Sequence, residues 1–273
     1  MADPAIDRVR SVARRPLPPH PKLVHTQADL RTDTARRALS GVDVLWHLGF
    51  ALWRGTDAAH LNLDGTRNLL AGQPARVVFA SSAAVYGAWP DNPLPMGEDQ
   101  WPRPNRECRY GSQKLTAERI CGETVPTISL RIGAVLGRHA DPKVAKAVRG
   151  YRLAVPAFRG EKEAVQFLAE DDAAAALHVA GACGVDGVVN IAPDDWLTAD
   201  DIARVAGSRV VRLPRRVLIA GSEAGFRLGL VPFGADRAIL LNGPLALDPS
   251  LAARVLGWRP SLGSAQVLTD ALA

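Results

Sequence analysis

Cysteine is scarce in this chain of 273 residues: three are present, at positions 108, 121 and 183, and none is in Cys-x-x-Cys spacing. A disulfide scaffold and a cysteine zinc site are excluded. The six histidines (20, 25, 47, 60, 139 and 178) show no metal-ligand spacing, so no metal is expected. No run of about 18 uncharged apolar residues occurs, which leaves no candidate for a membrane-crossing helix. Charges begin at residue 3 and no apolar signal-peptide core follows, so a cytoplasmic location is expected. Lysine is also sparse, at five of 33 basic residues, and the net charge of +5 is therefore an arginine excess. The arginines are scattered, without a block of five like charges, which is the pattern of a solvated surface. Neither nucleic acid nor membrane is expected as a partner.

What is present is the composition of a packed globular chain, 47% hydrophobic and 22% charged. Apolar runs of strand type alternate with helical segments. Ile6 to Ala13, Leu23 to Gln27, Val42 to Leu48, Ala75 to Ser81 and Thr127 to Val135 read as strands. Thr32 to Ser40, Ala58 to Leu70 and Glu107 to Cys121 read as helices. Continuous apolar strands between helices predict a parallel sheet covered on both faces, a doubly wound α/β fold. Beyond residue 136 the pattern loosens into short strands and helices separated by Pro and Gly. That division predicts a Rossmann-like core over 1–192, with a small substrate lobe mainly over 193–273 and interleaved with the core.

Two segments carry chemistry. Tyr110 and Lys114 are four residues apart on a predicted helix, so they share a face one turn apart. A lysine ammonium near the phenol lowers its pKa, and such a tyrosine can exchange a proton with a substrate hydroxyl. Ser81 and Ser82 end the strand from Ala75, at the carboxyl edge where open parallel sheets place their ligands. One of the two serines can orient a substrate oxygen, while the other satisfies turn backbone. His47 on its apolar strand reads as a hydrogen-bonded core histidine.

With the elements around them, these residues resemble the extended short-chain dehydrogenases/reductases, in particular the NAD-dependent epimerase/dehydratase family. The likeness runs through Ala28-Asp29-Leu30, the strand Val42 to Gly49, the helix Asn62 to Leu70, Val77 to Gly87, Tyr110/Lys114, Leu130 to Gly137, Gln166 to Asp172 and Asp248 to Pro260. It implies catalytic roles for Ser82, Tyr110 and Lys114. Ser82 orients the substrate oxygen, Tyr110 acts as acid/base, and Lys114 lowers its pKa and holds the cofactor ribose. It also implies cofactor contacts at Asp29, Leu30, Leu48, Gly49 and Lys114. Arg14 and Arg15 follow the second family strand, where a guanidinium can pair with the 2′-phosphate of NADP. NADP is therefore expected over NAD.

The chain departs from the family pattern at its start: the first strand, glycine-rich turn and helix that bind pyrophosphate are not in the sequence. Either the sequence begins late, or the second family strand pairs directly with the fourth, or another subunit fills the place. Gly181-Ala182-Cys183-Gly184-Val185-Asp186-Gly187 imitates the glycine loop, but it follows a helix and precedes a strand, the wrong polarity for phosphate.

The sequence thus predicts an NAD(P)-dependent oxidoreductase or epimerase. Its small-molecule substrate would be a sugar nucleotide or a sterol-like or polyketide-like alcohol or ketone. A 4,6-dehydratase is disfavoured, because Ser82-Ala83-Ala84 stands where those members carry Thr-Asp-Glu. Two alternatives stay open: a cofactor-independent acid/base enzyme, and a non-catalytic binding subunit. Association into a homodimer is also left open.

Overall fold

In the computed structural model, which describes residues 3–52 and 58–273, the elements follow the predicted alternation. The first half contains β1 (Val9–Ala13), β2 (Leu23–Gln27), α1 (Asp33–Ala38), β3 (Val44–His47), α2 (Ala58–Leu70), β4 (Arg76–Ser82), α3 (Arg109–Thr124) and β5 (Thr127–Ile132). The middle contains β6 (Ala134–Leu136), α4 (Pro142–Gly150), β7 (Val155–Phe158), β8 (Ala164–Val165), β9 (Phe167–Ala169), α5 (Glu170–Ala182) and β10 (Gly187–Ile191). Last come α6 (Ala199–Ala206), β11 (Val210–Leu213), α7 (Arg215–Arg227), α8 (Ala235–Asn242), β12 (Pro244–Leu245), α9 (Ser250–Val255) and α10 (Ser264–Leu272).

The main sheet is parallel, in the order β10-β5-β4-β3. β4 is apolar on both faces, whereas β5 is apolar on one face and carries Thr127, Ser129 and Arg131 on the other; the side-chain period of two sorts them. Val77 and Phe79 join Leu69, Leu70, Ala117 and Cys121 under α2 and α3. Val78, Ile128 and Leu130 join Ala173, Ala176 and Ala180 of α5 on the opposite face. This is the doubly wound arrangement, with helices on both sides of buried parallel strands.

β1 and β2 form a separate parallel pair. Val12 of β1 packs into the cluster that holds Leu45 of β3, so the pair continues the same layer. Direct pairing of β1 with β3, one of the sequence expectations, does not occur: β1 is bonded only to β2 and β3 only to β4 among the described residues. The Gly181–Gly187 segment has the expected polarity. It closes α5, passes through Gly184 and Gly187 at positive φ, and opens β10.

The second lobe is assembled from the short pairs β7–β11, β6–β9 and β8–β12 with α4, α6 and α10 around them. Its core includes Val148, Tyr151, Phe167, Ile202 and Leu268. Thr198 starts α6 with a capping box to Asp201, and Gly207 ends it at φ +65.

Candidate active site

The carboxyl end of β4 delivers Ser81 and Ser82, and the first turn of α3 delivers Tyr110 with Lys114 one turn later. Gly111 makes the two elements meet. A Cβ there would stand 2.4 Å from the Ala84 carbonyl oxygen, so only glycine lets α3 approach the turn after β4 this closely. The same junction opens onto a cavity of about 430 Å³, closed on its far side by the second lobe.

The two serines differ from the expected division: the turn backbone is satisfied by Ser82, the serine expected at the substrate oxygen, while Ser81 is engaged by a side chain. Ser81 is buried and donates to Glu118, whose carboxylate also takes Arg131 Nε at 3.1 Å and Nη2 at 2.9 Å. Ser82 faces the cavity, accepts the Ala84 N–H at 3.3 Å and acts to lower the pKa of the Tyr110 phenol. Ser82, Tyr110 and Lys114 thus line one wall.

Lys114 departs from its expected role toward Tyr110. The residue is 3% exposed, and its ammonium donates to the Ala80 carbonyl. It lies 4.0 Å from the Phe50 ring centroid, 4.8 Å from that of Phe79 and 5.7 Å from that of Tyr110. Burial pulls its pKa from 10.5 down to about 7, against the attraction of Glu118. Burial also raises the Tyr110 pKa, and the cation that opposes this is Arg237 rather than Lys114, with Ser82 assisting. The Arg237 guanidinium carbon stands 4.5 Å from the Tyr110 ring centroid, and Nη2 donates to the Leu52 carbonyl at 3.0 Å. No local pattern gives Arg237 a role toward Tyr110, because it comes from α8, 127 residues beyond Tyr110 (237 − 110).

Phe50 is the other contributor that the motifs do not reveal. Its ring meets Tyr110 edge-on at 5.9 Å and Phe79 at 6.3 Å. Asn62, fully buried on α2, fixes this segment by accepting the Ala51 N–H at 2.6 Å and donating to Gln113 at 2.7 Å. His47 is a core residue, as expected. The Thr66 hydroxyl donates to the Asn62 carbonyl, so it accepts from His47 Nε2–H at 2.8 Å. Burial holds the His47 pKa down to about 3, with Lys114 adding to the effect.

The predicted cofactor contacts are only partly gathered. Arg14 and Arg15 are exposed beyond β1. Arg31 holds Asp29 through Nη2 at 2.9 Å and Nε at 3.0 Å, which keeps its carboxyl below the usual range. Leu30 lies over Gly49, where a Cβ would meet its Cδ1 at 2.6 Å. Leu48 is exposed and lines the cavity mouth with Phe50. The Lys114 ammonium carries three N–H groups and donates to Ala80, so its chemistry fits a ribose diol. Arg14, close enough to act on Asp29, fits the adenosine end. The described residues therefore fit the two ribose ends of a dinucleotide, and they present no strand–glycine–helix cradle for the pyrophosphate between them.

A doubly wound parallel sheet with a cavity at the carboxyl edge of its strands is the architecture of the short-chain dehydrogenase/reductase type. The chain belongs to the NAD dependent epimerase/dehydratase family, whose profile matches residues 3–192. Rv0501 of Mycobacterium tuberculosis is 30% identical over 206 residues, covering 69% of this chain. The chain spans about half the length of the curated relatives it matches, 54% in that case. Among solved structures, MoeE5 in complex with UDP-glucuronic acid and NAD superimposes with a TM-score of 0.73 at 21% identity, over 97% of this chain and 89% of that one. DesIV, a dTDP-glucose 4,6-dehydratase from Streptomyces venezuelae, also gives 0.73, at 18% identity over 98% and 87% of the two chains. A UDP-N-acetylglucosamine 4-epimerase from Bacillus cereus gives 0.68, at 18% identity over 96% and 88%.

One prediction concerns Arg237. Replacing it with Gln removes the nearest opposing charge and moves the ionisation of Tyr110 to higher pH. An activity that requires the phenolate then rises at higher pH than in the parent chain. Absorbance titration of the tyrosines, with and without Tyr110→Phe, gives the same shift independently of turnover. An unmoved profile would show that Arg237 does not act on the phenol.

A second concerns stability. Lys114 has its pKa depressed on folding, so the folded state binds fewer protons and stability falls as pH drops from 10.5 through about 7. Lys114→Met removes that dependence and raises the denaturant midpoint at pH 7 relative to the parent chain. Equal midpoints for the two chains in urea melts at pH 7 and pH 10 would refute the burial cost.

Proposed function

We propose that this chain interconverts a hydroxyl and a carbonyl on a small molecule, as an oxidoreductase or epimerase, through Ser82, Tyr110 and Lys114. The observation that carries this reading is that these three side chains, from the end of β4 and the first turns of α3, line one wall of a single cavity. Ser82 orients the substrate oxygen by hydrogen bonding. Tyr110 gives a proton to that oxygen in one direction and takes it back in the other. Arg237 stabilises the phenolate that the second step needs. NAD(P), when bound, supplies the hydride exchange; Lys114 would hold its nicotinamide ribose and Arg14 its adenosine end, with Arg14 and Arg15 favouring NADP.

Calorimetric titration of the chain with NADPH and then NADH tests the cofactor assignment. Micromolar 1:1 binding, tighter for NADPH and weakened in Arg14→Glu, is the expected result. One observation favours a second reading, cofactor-independent proton transfer: the Lys114 ammonium is turned to Ala80 and capped by Phe50. No binding of either dinucleotide would select that reading.

A further inference from the structure

The cavity has a chemical character that Ser82 and Tyr110 do not set. Its body is Leu, Val, Ala, Ile and Phe, and among its described lining residues the only charged side chains are Lys114 and Arg237. Both belong to the end where Tyr110 lies. Lys114 is buried, donates to Ala80 under the Phe50 ring and is assigned to the cofactor ribose, while Arg237 stacks on Tyr110 and ties down Leu52.

Of the remaining polar side chains at the cavity, Tyr151 is a neutral phenol whose pKa burial pushes up to about 12, and Gln166 is held by backbone. Gln166, buried in the wall, donates to the Pro193 and Leu247 carbonyls at 2.6 and 3.0 Å and accepts the Leu247 N–H at 2.7 Å. It thus ties the segments after β10 and β12 together, with no N–H of its amide left for a ligand. The start of α8, beside the cavity through Phe233 and Arg237, holds a carboxylate of the protein: Glu223 accepts the Ala235 N–H at 3.2 Å. A doubly charged diphosphate would have to leave water for this lining without new cations or free amides, which is costly.

Resting on the Ser82/Tyr110/Lys114 reading, we infer that the substrate of this site is an apolar alcohol or ketone, bound by its hydrocarbon body, with its single oxygen held at Ser82 and Tyr110. A nucleoside diphosphate sugar does not match this cavity. The solvation gain from apolar burial replaces the ion pairing that a diphosphate requires.

The test is calorimetric titration of the full chain, preincubated with NADPH, with 1-decalone, UDP and UDP-glucose. Saturable 1:1 binding of 1-decalone, at least tenfold tighter than either nucleotide, is expected. Leu241→Lys and Ala147→Lys each place an ammonium on a half-buried lining position, and each is expected to weaken 1-decalone at least tenfold; circular dichroism identifies a variant that fails to fold, and the other then decides. The inference is overturned if UDP-glucose binds more tightly, if 1-decalone does not bind, or if the folded lysine variants bind it unchanged. The two readings separate cleanly. UDP-glucose turnover that is lost in Tyr110→Phe would overturn the apolar substrate and keep the catalytic set. Binding of 1-decalone with turnover that survives Tyr110→Phe would do the reverse.

Discussion

Tyr110→Phe abolishes measurable turnover while the chain melts as before. Loss of a positioned proton donor costs about 10²- to 10⁴-fold in rate, and Tyr110 is the phenol that faces the cavity wall shared with Ser82 and Lys114. The substitution keeps the ring, and with it the edge-on contact to Phe50 and the stacking of Arg237. Ser82 keeps its bond from the Ala84 N–H, so no buried group is stranded. Steady-state rates paired with thermal unfolding by circular dichroism separate the two effects. A variant with near-parental rates would falsify the acid/base assignment. A variant with a large drop in melting temperature would show instead that the phenol is structural.

The second large effect is on stability. Glu118→Ala is expected to destabilise the fold by about 3–5 kcal/mol, the range for breaking a buried ion pair from one side. The Arg131 and Glu118 side chains are 5% and 6% exposed, and the guanidinium carbon also lies 4.7 Å from the Tyr86 ring centroid. Burial works against the arginine charge, yet its pKa is held above the usual value by the Glu118 hydrogen bonds. Removing the carboxylate leaves that charge uncompensated under α3 and deprives Ser81 of its acceptor. Because the cost lies in the stranded partner, the double replacement Glu118→Leu with Arg131→Met recovers most of it. Urea unfolding of the three chains measures this directly. A single-variant loss below about 1 kcal/mol, the range of exposed pairs, would mean that water reaches the pair.

Much of the core was legible because its signals are local. β4 carries the apolar run Val77 to Ala80, β5 alternates Ile128, Leu130 and Ile132 with polar residues, and α1 is announced by Thr32, whose hydroxyl accepts the Ala35 N–H as a cap should. The i, i+4 spacing of Tyr110 and Lys114 is a helical property, and the structure keeps both on the cavity side of α3. The wrong polarity of the Gly181 segment was visible for the same reason, since helix-before-strand order is written along the chain. Ends of elements were less secure: the first strand begins at Val9 rather than Ile6, where the chain instead gives its Ile6 carbonyl to Lys22.

The electrostatics of the site were not legible. A four-residue spacing puts Lys114 and Tyr110 on one face but does not say where a long flexible side chain ends. Its ammonium donates to the Ala80 carbonyl and lies nearer the Phe50 and Phe79 rings than the Tyr110 ring. The sequence by itself determined the parallel sheet, the helices that cover it and the placing of Tyr110 and Lys114 on one helix face, because periodicity and capping act within a few residues. Only the tertiary structure decided that Arg237 would stand over Tyr110, that Phe50 would cap Lys114, and that the cavity would be apolar with Gln166 and Glu223 already engaged. These are contacts between segments far apart in the chain, fixed by packing and desolvation, and no local pattern encodes them.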